Sequence, residues 1–200
     1  MRRFEDDLDA WENCKASDRW VFNKLELSRR LGYLCGPTGL EVPKPDYYVV
    51  RPCLNLMGMG RGASFIFIED WSDEVVPVGY FWCEIFKGRH LSVDYRFGEQ
   101  ILAVEGFRDE HDELYKFSLW KRVEDQIPLP KIFSQLAENY EFVNVEFIDG
   151  NPIEVHLRHN PDFTNNNIDA IIPVWDEEGT KHPNFISDPE FKRKGFIIVK

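Results

Sequence analysis

The chain has 200 residues and a mass of 23.6 kDa, which suits one domain or two small lobes that share a cleft. Apolar residues make up 43% of the chain, enough for a packed core, and this composition excludes disorder of the whole chain. The formal net charge of −11 repels polyanions, which argues against non-specific binding to DNA or RNA. No run approaches the roughly 20 apolar residues of a membrane span and no signal peptide is apparent, so we expect a cytoplasmic protein without membrane contact.

Four cysteines are spread along the chain without a Cys-x-x-Cys pair. They are Cys14, Cys35, Cys53 and Cys83. Zinc ribbons and redox dithiols usually show closely spaced cysteine pairs, so neither is indicated by this spacing. In a cytosolic chain we expect these four side chains to be buried and reduced.

The first half of the chain predicts a helix–strand–loop–strand unit. Asn23, followed three residues later by Glu26, is typical of a helix N-terminus, and leucines at spacings of four and three continue a helical stripe. A strand is predicted over 47–51, and 64–68 is predicted as its partner. The glycine-rich stretch 55–63 lies between them. Such glycines let backbone N–H groups approach a phosphate closely, although a plain hairpin turn would give the same pattern.

Beyond residue 77 the sequence is rich in strands. They are predicted over 78–83, 90–97, 100–107, 115–120, 142–148, 153–158 and 196–199. Pro130 opens a short helix, since proline suits a first helical turn. Strands and helices in this irregular order predict an α+β fold.

The hairpin of the strands 142–148 and 153–158 carries charge on one face. With a three-residue loop, Glu146 lies directly across from Glu154. Two opposed carboxylates destabilise a hairpin by up to ~1 kcal/mol, and a sequence keeps them most readily when a cation lies between them. With waters and phosphates, such oxygen ligands form the usual Mg²⁺ site of phosphoryl-transfer enzymes. The alternative is an exposed polar face whose charges only solvate the sheet.

The same hairpin resembles the metal-binding end of the ATP-grasp family, which has an acidic residue on one strand and Glu-x-Asn-x-Arg or a similar pattern on the next. Glu146 and Glu154 match the two acids, and Arg158 matches the arginine. The resemblance implies that Glu146, Glu154 and His156 hold Mg²⁺ and that Arg158 stabilises the transferring phosphoryl group. His156 stands where the family usually has asparagine, and imidazole favours softer metals such as Mn²⁺.

Two earlier segments resemble parts of this family that contact the phosphates of ATP, and Lys24 in Asn-Lys-Leu-Glu resembles a lysine that often precedes them. Val49-Val50-Arg51-Pro52 resembles a Val-Val-Lys-Pro strand whose basic residue contacts the phosphates, with Arg51 in place of lysine. The stretch 55–63 resembles the mobile glycine-rich loop that closes over the phosphates. Its implied contacts are Gly58, Gly60, Arg61 and Gly62.

A further segment, 80–94, resembles the hinge between the two lobes of the family. The resemblance implies that backbone groups of Glu84, Ile85 and Phe86 hold the adenine. His90 falls on the position of the usual ribose-binding glutamate. The alternative for this stretch is an ordinary hairpin with a Lys-Gly turn.

Together these segments imply two small lobes of ATP-grasp type, whose antiparallel sheets enclose a nucleotide cleft. The N-terminal lobe would cover 1–83 with the glycine-rich loop, and the C-terminal lobe would cover 84–200 with the metal-binding hairpin. The segment 162–200 matches nothing in the family pattern, and the sequence lacks room for the Rossmann-like domain that binds substrate in many members.

The resemblance implies an ATP- and metal-dependent ligase that joins a carboxylate to an amine through an acyl phosphate, with Arg51 and Arg158 as catalytic residues. Its partners would be the nucleotide and a small-molecule or peptide substrate. The first alternative is a catalytically degenerate nucleotide-binding or protein-interaction module on the same fold, which the replacements at Arg51, His90 and His156 favour. The second is an unrelated hydrolase with a metal site at Glu146, Glu154 and His156.

Overall fold

The computed structural model of the protein describes all residues except 55, 57–59, 72–74, 110, 164–166 and 191. Its described helices include α1 (Asp7–Asn13), α2 (Lys24–Arg30) and α3 (Ser134–Asn139), with 3-10 helices over Ala16–Phe22, Lys131–Phe133 and Gly179–Lys181. The Asn23 side chain accepts a hydrogen bond of 3.1 Å from the Glu26 N–H, which confirms the predicted start of α2. The helix α1, which the sequence did not predict, is capped by the Asp6 carboxylate, which accepts from the Asp9 N–H at 2.8 Å.

The described strands form two antiparallel sheets. The small sheet has the order β1-β4-β2-β3 and contains β1 (Cys35–Pro37), β2 (Asp46–Pro52), β3 (Ser64–Ile68) and β4 (Tyr80–Cys83). The large sheet has the order β11-β12-β10-β7-β6-β5-β8-β9 and contains β5 (His90–Arg96), β6 (Glu99–Phe107), β7 (Leu119–Arg122), β8 (Phe142–Ile148), β9 (Asn151–His156), β10 (Ala170–Val174), β11 (Phe185–Glu190) and β12 (Arg193–Val199). Two antiparallel sheets with few helices confirm the predicted α+β class.

One face of the large sheet packs against the N-terminal helices. Val93 of β5 and Val145 of β8 share a buried core with Ala10 and Leu27. Successive side chains of a strand point to opposite faces, so the polar side chains between these valines face away from the core. The helical segment that precedes the small sheet in sequence thus packs on the large one. The division into 1–83 and 84–200 stays a prediction.

Two smaller cores complete the packing. The core of the small sheet contains Val42, Tyr48, Val50, Ile68, Val76 and Trp82. A third cluster contains Leu102, Val104, Phe163, Ile168 and Ile171. Val104 lies opposite Ser92 in the pairing of β6 with β5, so this cluster covers part of the polar face of the large sheet. Residues 84–89 connect the two sheets.

The register of the β8–β9 hairpin agrees with the sequence analysis, although its loop does not. Glu146 lies opposite Glu154, as predicted. The expected three-residue loop is wrong, because Asp149 (φ 50°) and Gly150 (φ 79°) form a two-residue turn. Ile153 is the extra residue of a β-bulge, which restores the register that a two-residue loop would otherwise have shifted.

The strand predicted over 115–120 is also wrong. The strand β7 begins only at Leu119, because Phe117 leaves the ladder and its ring packs on Trp120 at 4.4 Å between centroids. Elsewhere the predicted strands agree with the structure to within a few residues. Among the described residues, no helix is long and apolar enough to cross a membrane.

Candidate functional site

A cleft of about 1130 Å³ lies between the two sheets and is lined by both. The predicted site residues that line it are Lys24, Arg51, Gly60, Arg61, Glu84, Ile85, Phe86, His90, Glu146, Glu154, His156 and Arg158. Gly58 lies outside the described residues. Gly62 packs beside Tyr80, where a Cβ would come within 2.7 Å of the phenol oxygen.

Arg51 on β2 is a buried cation that faces the cleft. The residue is only 8% exposed, and its guanidinium lies 5.2 Å from the centre of the Phe81 ring. Among the described residues no carboxylate lies within ion-pair distance of Arg51, and its Nε has no hydrogen-bond partner. A buried charge is costly unless it is paired, so an anion in the cleft would supply the partner that this guanidinium lacks.

The two opposed carboxylates of the hairpin lie at one end of the cleft, and each contacts a basic side chain. Glu154 Oε2 lies 2.8 Å from Lys24 Nζ on α2. Glu146 Oε2 lies 3.1 Å from His90 Nε2 on β5. Burial alone would raise the pKa of Glu146, but the hydrogen bond and charge of His90, with the charges of His156 and Lys24, lower it to about 2. Glu146 is therefore ionised, and basic side chains of the chain itself contact both carboxylates.

Asp7, at the start of α1, connects two of the predicted site residues. Its carboxylate contacts His156 Nδ1 at 2.9 Å through one oxygen and Arg158 Nη2 at 2.8 Å through the other, and the residue is only 5% exposed. Burial alone would raise the pKa of Asp7, but His156 and Arg158 lower it far below its usual range. Asp7 thereby fixes the orientation of both side chains.

The surroundings of His156 favour a charged imidazolium. Burial and the charge of Arg158 act to lower its pKa, but the charge and hydrogen bond of Asp7 and the charge of Glu154 outweigh them and raise it. Its Nε2 lies 3.6 Å from Glu154 Oε1 and 3.9 Å from Glu146 Oε1. To ligate a metal, His156 would first have to lose the proton that these carboxylates stabilise.

The oxygen donors at this end fit a hard cation. Glu146 and Glu154 lie directly opposite each other on the cleft face of the hairpin. Within the described part of the chain, no group of three or more His, Cys, Asp or Glu side chains is arranged to hold a metal ion. Two carboxylates fit Mg²⁺ when phosphate and water oxygens complete the octahedron, whereas the predicted three-residue ligand set is not preformed.

The hinge segment is fixed to Leu34, the residue directly before the strand β1. The Glu84 N–H donates to the Leu34 carbonyl at 2.9 Å, and the Glu84 carboxylate accepts from the Leu34 N–H at 2.8 Å. The ring of Phe86 packs edge-on against Tyr33, with centroids 4.6 Å apart. Because the Glu84 carboxylate bonds to the backbone, the hinge can offer backbone groups to a ligand at a fixed position.

An aromatic wall that the sequence analysis missed borders the cleft beside the hinge. His90 contacts the rings of Phe117 and Trp120 edge-on, with centroids 5.0 and 5.5 Å away. Gly106 lies beneath them, and a Cβ there would come within 2.7 Å of Phe117 and 2.8 Å of Trp120. A glycine inside a strand often marks such a close approach, and this was the only local signal for the wall.

The segment 162–200, which matched nothing in the sequence analysis, also lines the cleft. Arg193 on β12 is 5% exposed and pairs with Asp162 at 2.7 Å and with Asp188 at 2.9 Å. Its side chain and those of Asp162 and Glu190 border the cleft. Local sequence carried no signal for this cluster, because its members come together only through the pairing of β11 with β12 and through the segment after β9.

No protein-family model and no curated protein matches this sequence. Several solved structures nevertheless share its fold. An ATP-grasp superfamily protein from Archaeoglobus fulgidus matches 90% of this chain with a TM-score of 0.50 and 14% identity. An L-amino acid ligase from Bacillus licheniformis matches 94% with a TM-score of 0.51 and 12% identity. A carboxyaminoimidazole ribonucleotide synthase from Aspergillus clavatus, solved with ATP, matches 90% with a TM-score of 0.52 and 12% identity.

These similarities show an ATP-grasp fold, as the hairpin, loop and hinge segments predicted. The chain spans about two thirds of the length of the three proteins, namely 64%, 66% and 68%. At such low identity the similarity establishes the fold alone.

Proposed function

We propose that this protein binds ATP together with a divalent metal ion in the cleft between its sheets. The observation that carries the proposal is Arg51, a buried guanidinium that faces the cleft without a carboxylate partner among the described residues. A polyphosphate would supply the missing negative charge and accept the hydrogen bonds of the planar fork. The ATP-grasp fold supports ATP as the source of that polyphosphate.

The phosphate end of the cleft contains further groups that suit an anion. Arg61 and Gly60, from the glycine-rich stretch after β2, line the cleft. A glycine at positive φ (59° at Gly60) leaves backbone N–H groups accessible to phosphate oxygens, and Arg61 adds charge. We propose that Gly62, in the same glycine-rich stretch, also belongs to the phosphate site. Lys24 would contribute charge while paired with Glu154.

Glu146 and Glu154 would hold the metal ion, Mg²⁺ or Mn²⁺, together with phosphate oxygens. When bound, the metal neutralises the charge that develops on the transferring phosphoryl group. The basic side chains around Glu146 hold its pKa at about 2 and keep this carboxylate ionised, while Glu154 pairs with Lys24.

Arg158 is proposed as the residue that stabilises the transferring group. Its position is fixed by the Asp7 carboxylate at 2.8 Å, so its guanidinium is held at the cleft before a ligand arrives. A preorganised cation is more effective than a mobile one, since no reorganisation is needed during the reaction. Arg51 would assist from the opposite sheet.

Backbone groups of Glu84, Ile85 and Phe86 in the hinge are proposed to hold the adenine. His90, whose Nε2 contacts Glu146 at 3.1 Å, is proposed to face the ribose. The lobes 1–83 and 84–200 would then close on the nucleotide from either side. The proposed reaction is ligation of a carboxylate to an amine through an acyl phosphate, with a small molecule or peptide as substrate; its support is the ligase-like ATP-grasp fold.

The buried ion pairs at the metal end favour a second candidate function. Lys24 and His156 supply positive charge where a metal would lie, which suits a module that binds nucleotide without turning it over. Such a module would bind ATP with little dependence on divalent metal.

Calorimetric titration of the full chain with ATP, in the presence and absence of Mg²⁺ or Mn²⁺, tests the shared part of both candidates. Binding that strengthens with metal, together with ADP release that depends on an added carboxylate and amine, supports the ligase. Metal-independent binding without ADP release supports the module. No binding at millimolar ATP would overturn both and leave the hydrolase reading of Glu146, Glu154 and His156.

A further inference from the structure

Two cysteines that are distant in sequence are neighbours in the small sheet. Cys35 of β1 lies directly opposite Cys83 of β4. Residues opposite each other in antiparallel strands have Cα atoms about 4.5 to 5.5 Å apart. A disulfide spans Cα distances of about 4.4 to 6.8 Å, so this pair could be joined without movement of the backbone.

The surrounding contacts hold the two strands in this register. Leu34 bonds to Glu84 through two hydrogen bonds, of 2.9 and 2.8 Å, immediately beyond the cysteine pair. On the other side Gly36 lies opposite Trp82 so closely that a Cβ would come within 2.7 Å of the indole. The ladder therefore cannot slip by one residue without losing both hydrogen bonds and creating a clash.

The two thiols differ in accessibility and in charge environment. Cys35 is partly exposed, whereas Cys83 is buried at 1% exposure on the floor of the cleft. The pKa of Cys35 is lowered by the hydrogen bond from Cys83 and by the charges of Arg29 and Arg51. These effects outweigh burial, which acts to raise it. Donation of that hydrogen bond, together with burial, raises the pKa of Cys83. Such a pair combines an accessible thiolate with a protected partner.

The remaining cysteines lack this arrangement. Cys14 is buried and Cys53 is partly exposed, and burial raises the pKa of both thiols. The expectation of four buried thiols is therefore wrong for Cys35 and Cys53. The absence of a Cys-x-x-Cys motif hid the pair, since the small sheet brings the two residues together.

We propose that Cys35 and Cys83, of which Cys83 lines the cleft, form a redox-active dithiol in the small sheet, which small-molecule disulfides oxidise to an intramolecular disulfide. The Cys35 thiolate attacks one sulfur of the reagent disulfide, whose sulfur–sulfur bond breaks and releases one reagent thiolate. Cys83 then loses its proton to solvent and attacks the Cys35 sulfur, which releases the second reagent thiolate. The protein loses two electrons and two protons, and the reagent becomes two thiols.

This site is independent of the proposed nucleotide binding, although it shares a wall with the cleft. Cys83 immediately precedes Glu84 of the hinge, and a bond from Cys83 to Cys35 would fix β4 to β1 covalently at that point. Ligand binding is not required for the thiol chemistry, so the test below needs no nucleotide.

The experiment treats the fully reduced, folded full chain with oxidised glutathione and follows the intact mass. The expected product has lost two hydrogens, and digestion after alkylation of the remaining thiols yields one peptide pair joined through Cys35 and Cys83. Reduction with dithiothreitol should restore the starting mass. No loss of two hydrogens, or a disulfide that maps to Cys14 or Cys53, would overturn the proposal.

Single variants distinguish Cys35, the thiol that attacks the reagent, from Cys83, the thiol that attacks the resulting mixed disulfide. Cys83→Ser should stop at a mixed disulfide on Cys35, which appears as the mass gain of one glutathione. Cys35→Ser should remain unmodified, because Cys83 is buried, and Cys53→Ser should behave as the wild type. Glutathione on Cys83 in the Cys35→Ser variant, or disulfide loss in Cys53→Ser, would contradict the assignment. The disulfide mapping of the wild-type protein does not depend on any variant, so it tests the proposal even if a variant fails to fold.

Discussion

Lys24 of α2 and Glu154 of β9 form a buried ion pair in the wall of the cleft, with 2.8 Å between Nζ and Oε2 and side chains 5% and 10% exposed. The sequence predicted that each would face a ligand, Lys24 for phosphate and Glu154 for metal. In the structure they contact each other. In the ligase, Glu154 would have to bind a metal ion in addition to Lys24 or instead of it. In the module, the ion pair would stay intact when ATP binds.

The first prediction is that this pair contributes strongly to the free energy of unfolding. Glu154→Gln leaves the buried Lys24 ammonium without its partner, which costs about 3 to 5 kcal/mol. Lys24→Met should cost less, because His156 Nε2 still lies 3.6 Å from Glu154. The double variant should be destabilised by much less than the sum of the two single changes. Urea unfolding of the four proteins measures the coupling.

The exposed pair Lys181–Glu178 provides the matched control, since its side chains are 70% and 82% exposed. Lys181→Met should change the free energy of unfolding by less than about 0.5 kcal/mol. Additive effects at Lys24 and Glu154 would show that the two charges do not depend on each other, and that Glu154 is free to serve a metal.

The hairpin register illustrates what local sequence can predict. The assumption of a three-residue loop predicted that Glu146 lies across from Glu154, and the structure has them opposite each other. The sequence reached this pairing through a three-residue loop, whereas the chain uses a two-residue turn and a bulge at Ile153. The longer loop and the bulge each add one residue to the hairpin, and so they bring the same side chains to the same face. The face of each side chain was therefore predicted correctly, whereas the backbone conformation was not.

Contacts between distant segments were not predictable in this way. Asp7 and His156 are 149 residues apart, and Asp7 lies in a short acidic stretch that reads as a solvated surface. Its burial depends on the packing of α1 against the large sheet, which no local pattern encodes. The same holds for Cys35 and Cys83, whose meeting depends on the strand order of the small sheet.

The second prediction concerns Arg51. Arg51→Met should weaken ATP binding by roughly 10- to 100-fold, because each hydrogen bond to a charged group contributes about 1.5 to 3 kcal/mol. The free energy of unfolding should not fall, since the change removes a buried charge that has no carboxylate partner among the described residues. Calorimetry measures the affinity, and urea unfolding measures the stability.

Arg96→Met is the control for that measurement. Arg96 also lies on a strand near aromatic rings, but its side chain is 51% exposed and pairs with Glu141 away from the cleft. Its replacement should leave ATP affinity unchanged. If Arg51→Met binds ATP as tightly as the wild type, the buried guanidinium does not serve the phosphates.

The third prediction separates metal binding from the fold. Glu146→Gln keeps the shape of the side chain but removes a carboxylate whose pKa is held at about 2. Its side chain is 27% exposed, so we expect the fold to persist. ATP binding measured with and without Mg²⁺ should lose its metal dependence.

Glu105→Gln is the matched control, because Glu105 also lines the cleft but pairs with Arg89 at 2.8 Å rather than facing Glu154. The metal dependence of this variant should equal that of the wild type. A Glu146→Gln protein whose ATP affinity still rises with Mg²⁺ would place the metal elsewhere or remove it from the proposal.

The fourth prediction is a pH dependence of stability that originates at His156. Its pKa in the folded protein is raised above the ordinary value of 6.5, so the folded state holds the proton more tightly than the unfolded state. The stabilisation is complete below pH 6.5 and is lost as the pH rises through the folded pKa. The free energy of unfolding should therefore fall as the pH rises above 6.5, by at most ~1.4 kcal/mol per pH unit.

Asp7 contributes with the opposite sign. Its pKa is lowered in the folded protein, so its stabilisation is present above the ordinary value of 3.8 and is lost as the pH falls below it. Urea unfolding across both ranges should give a maximum between them. In His156→Gln the decline above pH 6.5 should disappear, because glutamine does not titrate, while the acid limb persists. A wild-type curve that is flat or rising above pH 6.5 would mean that His156 is neutral in the folded protein and that its nitrogen is available to a metal.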